Sequence, residues 1–201
     1  MTKMNTRSAI EHSLHEAQNV LNQFIQDAKN LEVMNEAVDL MASVFEQRGR
    51  IFACGNGGSM CDAMHFAEEW TGRFRKDREP LPAMALSDAA HLTCVANDFG
   101  FDEVFARSIR AFGHPADLLV AISTSGNSTN ILRAVEAAKS RQMQVFGLLG
   151  KDGGKIKPRC DLCLVAPGRT SDRIQEIHMM VLHILIESVE RLMFPQNYDV
   201  G

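Results

Sequence analysis

The chain has 201 residues, enough for one domain with a sizeable core, and at 45% hydrophobic and 23% charged it has the composition of a soluble globular protein. A net charge of -4, with acids dispersed, gives neither the basic footprint of a nucleic-acid binder nor an acidic tail. No apolar run is long enough to span a bilayer and the first residues lack a signal-peptide core, so no membrane partner is expected and the cytoplasm is the expected compartment.

Two helical patterns fill about residues 6–48. Ile10, Leu14, Ala17, Leu21, Phe24 and Ile25 recur at helical spacing; so do Leu31, Met34, Ala37, Leu40, Met41, Val44 and Phe45, before Gly49. Neither pattern carries a chemical site. Both are expected to pack on each other or on a second subunit.

From about residue 50 to 194 the pattern changes to strand, loop and helix in turn. Apolar runs suited to buried strands are 51–54, 83–86, 118–122, 145–149 and 162–165. Helical patterns cover about 59–75, 90–97, 102–112, 128–141 and 171–193. The alternation predicts an α/β fold: a doubly wound, five-stranded, mainly parallel sheet flanked by helices, with the N-terminal pair in the same single domain, residues 1–201. Ligands of such sheets bind beyond the carboxyl ends of the strands.

The five cysteines are odd in number and scattered, so they are no disulfide framework. Cys160 and Cys163 have CxxC spacing but lie in an alternating, strand-like run. Residues three apart on a strand point to opposite faces, which suits no single metal.

Two loops carry anion chemistry. After the first strand, Gly55-Asn56-Gly57-Gly58-Ser59 opens a helix whose free N–H groups and dipole favour an anion. Ser59 can cap that helix or donate to a phosphate oxygen. Such a turn can equally be only a tight turn. After the third strand, Ser123-Thr124-Ser125-Gly126-Asn127-Ser128 sets four hydroxyls before another helix, more than a cap needs. Neither loop matches the nucleotide patterns GxxxxGK[ST] or GxGxxG with its downstream acid. Together they suggest a pocket for a small phosphorylated molecule, such as a sugar phosphate.

The acid–base candidates are fewer. His65 and Glu69 share a helix face at i and i+4. Asn97-Asp98 follows a helical stretch. His183 falls in an apolar run, where a histidine is ordinarily a core residue with one partner; it becomes chemical only if a carboxylate meets it. His178, on the same helix, is expected to be exposed or at an interface.

The runs CGNGGS…CDAMHFAEEWTGRF, ANDFGF, ISTSGNS, GKDGG and RIQEIH…LHILI, in this order, closely resemble the phosphoheptose isomerases of the sugar isomerase (SIS) superfamily. The resemblance runs to about residue 193. It implies isomerisation of sedoheptulose 7-phosphate to D-glycero-D-manno-heptose 7-phosphate, the first step toward the heptose of lipopolysaccharide core. It also implies a homotetramer with sites at subunit interfaces. By the same resemblance Asn56, Gly57, Gly58, Ser123, Thr124, Ser125 and Ser128 hold the substrate, mainly its phosphate, and Asn97 and Asp98 contact the sugar. Glu69 and His183 carry the proton transfers, as base and acid. His65, Glu69, Gln175 and His183 match a zinc site, with Glu69 and Gln175 also facing substrate.

Gln175 and His183 are eight residues apart, about 12 Å along a helix and about 80° round it. One ion is hard to reach from both on a straight helix, so either two subunits contribute or the helix bends. Met60 stands where some members have a histidine, which removes no assigned ligand. The segment 167–171, the FPQ tail and the RAFGHPADLL run resemble a related non-enzymatic member that binds the bacterial replication initiator. That relative lacks the pair matching Glu69 and His183. Both are present here, which favours the enzyme over a binding protein of the same fold. An isomerase of another phosphosugar is the third reading.

Overall fold

The computed structural model describes residues 6–198; residues 1–5 and 199–201, the outer ends of the expected domain, lie outside it. Five strands form one sheet: β1 (Ile51–Cys54), β2 (Ala83–Ala85), β3 (Leu118–Ser123), β4 (Gln144–Gly150) and β5 (Leu162–Ala166). All neighbours are parallel, in the order β2-β1-β3-β4-β5. β1 and β3 are buried along their whole length, as continuous apolar strands covered on both faces must be.

Residues alternate between the two faces. Ile51, Ala53, Leu118 and Val120 face the layer of α1 (Thr6–Gln26), α2 (Ala28–Glu46), α3 (Gly58–Thr71) and α7 (Ser171–Met193). Phe52, Cys54, Leu119 and Ala121 face α4 (Ala89–Phe99), α5 (Ala106–Phe112) and α6 (Thr129–Ser140). Each fully buried side chain of the size of Phe52 or Phe146 contributes roughly 1.5–3 kcal/mol. Below the sheet, the buried Asp117 carboxylate accepts from the N–H groups of Arg50 and His114 and from the Arg50 guanidinium, which satisfies its charge. The strand order reverses between β1 and β3, so their carboxyl ends flank the crevice where such sheets bind ligands. α1 is held less firmly: it buries Val20 and Phe24 but leaves Ile10 and Leu14 61% and 66% exposed.

Four expectations are corrected. α3 stops at Thr71, short of 75, because Gly72 takes the C-cap and donates to the Glu68 carbonyl. The stretch 102–112 is a 3-10 turn (Phe101–Glu103) and then α5; Val104 and Phe105 turn into the core together between them. Cys160 lies ahead of β5, so strand alternation does not govern it, and its thiol donates to the Ile156 carbonyl oxygen at 3.5 Å. The Cys160 and Cys163 thiols meet over Gly147, where an added Cβ would lie 2.6 Å from Cys160 Sγ and 3.5 Å from Cys163 Sγ. His178 is fully buried, its Nε2 2.9 Å from the Leu149 carbonyl oxygen, because it faces the sheet from α7. His178, and not His183, is the core histidine.

Burial pulls the His178 pKa down to about 4, with the Leu149 contact opposing. The unfolded chain takes up this proton near pH 6.5 and the native chain only near 4, so the stability of the neutral ring is full above 6.5 and falls as pH drops towards 4. Between pH 7 and pH 5 the loss is about 2 kcal/mol. Urea titration at the two pH values should show this loss, and His178→Gln should shrink it; an equal loss in the variant would contradict the assignment.

Candidate active site

α3 begins at the glycine turn. Gly57 is its N-cap and offers no side-chain cap; the Ser59 and Met60 N–H groups donate to the Asn56 and Gly57 carbonyl oxygens, which leaves the Gly58 N–H and the helix dipole to favour an anion. Ser59 is not the cap: it sits inside the first turn, 3% exposed, its Oγ 3.4 Å from Gln175 Nε2. Gly58 lies under that glutamine; a Cβ there would come within 2.4 Å of Gln175 Nε2.

The hydroxyl loop after β3 forms the second wall. Ser123 Oγ accepts from the Gly126 N–H at 3.1 Å, and Ser125 Oγ from the Asn127 N–H at 3.2 Å. Each hydroxyl hydrogen remains available to donate to an anion. Ser128 is the N-cap of α6 but makes no side-chain cap bond; in that first turn a side chain takes only the Ile131 N–H, which donates to Asn130 Oδ1. Thr124 Oγ1 lies 3.2 Å from Ser171 Oγ, at the start of α7.

A reciprocal amide pair joins the walls. Asn56 Nδ2 donates to Asn130 Oδ1 at 2.9 Å and Asn130 Nδ2 donates to Asn56 Oδ1 at 2.8 Å. Asn130 is 2% exposed, and its Oδ1 also accepts the Ile131 N–H. The Asn56 amide, expected to face substrate, is committed to this bridge.

Farther along α3, His65 and Glu69 converge with His183 of α7. Glu69 Oε1 is 3.2 Å from His65 Nε2, and His65 Nε2 is 3.1 Å from His183 Nε2. A single hydrogen on His65 Nε2 satisfies both contacts, with the carboxylate and the second imidazole accepting. Phe74 lies beside His183, its ring centroid 5.9 Å away. One turn before His65, burial pushes the Asp62 carboxyl up to about 6, with His65 working against it.

The donor set fits a zinc ion. Ligand atoms of His65, Glu69 and His183 all lie within 4.8 Å of one another. Tetrahedral zinc, with bonds of about 2.0–2.1 Å, sets ligand nitrogens about 3.3 Å apart, close to the 3.1 Å between the two Nε2 atoms. Gln175 is not part of this cluster. α7 runs alongside α3 in the same direction, so Gln175 meets the start of α3 while His183 meets its middle. Within one chain the expected four ligands divide three and one. His183 reaches His65 and Glu69 in its own chain, where a second subunit was one of the two expected routes.

Asn97 and Asp98 are not brought to the cluster either. They are exposed at the end of α4 and bond each other, Asn97 Nδ2 to Asp98 Oδ1 at 2.8 Å. Sequence reasoning also missed residues: Asn130 was read as part of a helix start, and Arg78, which binds the carbonyl oxygens of Glu69 and Trp70, lies in a stretch with no periodicity.

Comparison with known proteins identifies the family of this fold. The SIS domain family profile matches residues 13–150. A phosphoheptose isomerase of Fusobacterium nucleatum is 52% identical over 179 residues, 89% of this chain and 92% of the relative. Among solved structures, phosphoheptose isomerase GmhA of Neisseria gonorrhoeae superposes with a TM-score of 0.87 at 39% identity, over 92% of this chain and 99% of that one. A phosphoheptose isomerase of Francisella tularensis does so with a TM-score of 0.89 at 33% identity, over 94% and 100%. The chain belongs to the SIS domain family, and within it to the phosphoheptose isomerases.

Replacing Asn130 by alanine removes both bonds between the walls and leaves Asn56 unpaired. Affinity for inorganic phosphate, measured by titration calorimetry, should fall about five- to fiftyfold, the range expected for losing paired, largely buried hydrogen bonds. Unchanged affinity would show that the pair does not shape the cradle.

Proposed function

We propose that this chain, as a single-domain enzyme, isomerises sedoheptulose 7-phosphate to D-glycero-D-manno-heptose 7-phosphate through an enediol. The observation that carries the reading is the convergence of Glu69, His65 and His183 beside a cradle built for a phosphate. The relatives and solved structures named above, at 33–52% identity, support the heptose as substrate. The phosphate sits between Gly57–Ser59 and Ser123–Ser128, held by hydroxyls, backbone N–H groups and two helix dipoles. The sugar then extends along the groove between α3 and α7.

Glu69 removes the C1 proton of the ketose, and His183 serves the C2 oxygen. Protonated Glu69 then returns a proton to C2, while the C1 hydroxyl gives its proton to His183 and its oxygen becomes the aldehyde. Glu69 is 17% exposed and His65 44%, so the base is the more sheltered of the two. His65 bridges base and acid through Nε2 and fixes which atoms of each face the groove.

The proposal includes one zinc per subunit, held by His65, Glu69 and His183. When bound, zinc supplies Lewis-acid polarisation of a substrate oxygen. The three side chains that would hold the ion are those assigned to the proton transfers and to the bridge between them. Gln175 stays at Ser59 within its own chain and faces the phosphate end of the groove.

A homotetramer in the cytoplasm completes the reading. Two observations support assembly: Ile10 and Leu14 on α1 are exposed, and Asn97 and Asp98 lie away from the groove of their own chain. A second copy that covers α1 and brings Asn97 and Asp98 to a neighbouring groove accounts for both.

Incubation with sedoheptulose 7-phosphate in D2O, followed by NMR, tests the chemistry. The wild type should give aldose with solvent deuterium at C2, and Glu69→Gln and His183→Ala should each lower kcat at least about 100-fold. No aldose ends the proposal, and unimpaired variants end the acid–base roles. Native mass spectrometry should show a tetramer with one zinc per subunit, and His65→Ala should lose the metal while keeping the fold. A monomer, or metal retained by His65→Ala, would reject that part.

A further inference from the structure

Arg78 lies between α3 and β2, outside every helix and strand. Its side chain is 1% exposed and pairs with that of Glu190, 3% exposed, Nε to Oε1 at 2.7 Å. The other Glu190 oxygen accepts from the Tyr198 hydroxyl at 2.6 Å, so the carboxylate is satisfied from two sides. The rest of the guanidinium turns to the end of α3. Nη2 donates to the Glu69 carbonyl oxygen at 2.8 Å and Nη1 to that of Trp70 at 2.7 Å. The Gly72 and Glu79 carbonyl oxygens lie 3.3 Å from Nη1. α3 has no basic residue in its own last turn. Arg78 supplies the cation that a helix C-terminus favours and satisfies carbonyls left without helical donors.

We infer that Arg78 is a positioning residue for the isomerisation: it clamps the carbonyl end of α3, at Glu69 itself, to Glu190 on α7, and so sets the spacing of Glu69 and His183 across the groove. The inference rests on the acid–base reading of those two residues. His183 and Glu190 are seven residues apart, two turns and within about 20° of the same helix face. Fixing Glu190 therefore fixes the rotation of α7 at His183. Only arginine's planar fork reaches one carboxylate and two carbonyls at once; lysine has a single point to offer.

The consequence is a split between rate and binding. The anchoring end of the groove, at Gly58, is eleven residues from Glu69, about 16 Å along α3. Loosening the Arg78 clamp leaves that end intact but lets the reacting groups drift, and a displacement of about 1 Å costs on the order of 100-fold in rate.

Arg78→Met/Glu190→Leu removes both charges, so that neither is left buried alone, and Arg78→Lys keeps the cation without the fork. Both are assayed beside the wild type and Glu69→Gln for kcat, KM, inhibition by inorganic phosphate and thermal midpoint. The folded double variant should lose about 30-fold or more in kcat, with KM and phosphate inhibition within about twofold of wild type, and Arg78→Lys should fall between. Wild-type kcat in the folded double variant overturns the inference, as does a KM rise that matches the fall in kcat. If the double variant does not fold, Arg78→Lys decides, and a kcat within about twofold of wild type overturns it. Failure of the acid–base reading shows separately, as an unimpaired Glu69→Gln.

Discussion

The packing of α7 along α3 is the constraint on which the site depends. The two helices touch at three heights: Gln175 over Gly58 and Ser59, His183 against His65, and Glu190 beside the end of α3 through Arg78. The first contact closes over the start of α3, where the anion cradle is proposed, and the second gathers a carboxylate and two imidazoles. The third is a buried ion pair, a kind of contact that adds little net stability once desolvation is counted but tolerates poorly the loss of one partner. Its value here is geometric. It fixes how two helices stand to each other where a fraction of an ångström matters to proton transfer.

The same packing explains why the four residues expected to hold one ion do not meet within a chain. Eight residues of α7 separate Gln175 from His183, and α3 runs beside them in the same direction, so each finds its own level of the groove. His65, Glu69 and His183 form a compact donor set without the amide. Asn97 and Asp98, at the end of α4, bond each other and not this set.

The layered fold was legible because each strand is a short apolar run and each helix a periodic one, so burial follows directly from pattern. Boundaries were less so: where α3 ends depends on Gly72 and on Arg78, which returns from six residues beyond it. The glycine and hydroxyl loops showed in composition because anion binding needs those residue types. The pairing of His65 and Glu69 followed from helical spacing, and the resemblance supplied His183. Which histidine of α7 lies in the core was not legible, since His178 and His183 both sit among apolar residues and only the rotation of α7 against the sheet distinguishes them. The Cys160–Cys163 contact was missed because it depends on the empty side of Gly147, on another strand. Asn130 was missed because its partner is 74 residues away.

The amide pair of Asn56 and Asn130 has one more consequence. Two amides give two hydrogen bonds and no net charge. Aspartate in either place would set a carboxylate beside a bound dianion. The hydroxyls, amides and backbone N–H groups assigned to the cradle do not titrate in the working range of an enzyme. On the protein side, a phosphate grip built from these groups would keep the same charge at any working acidity.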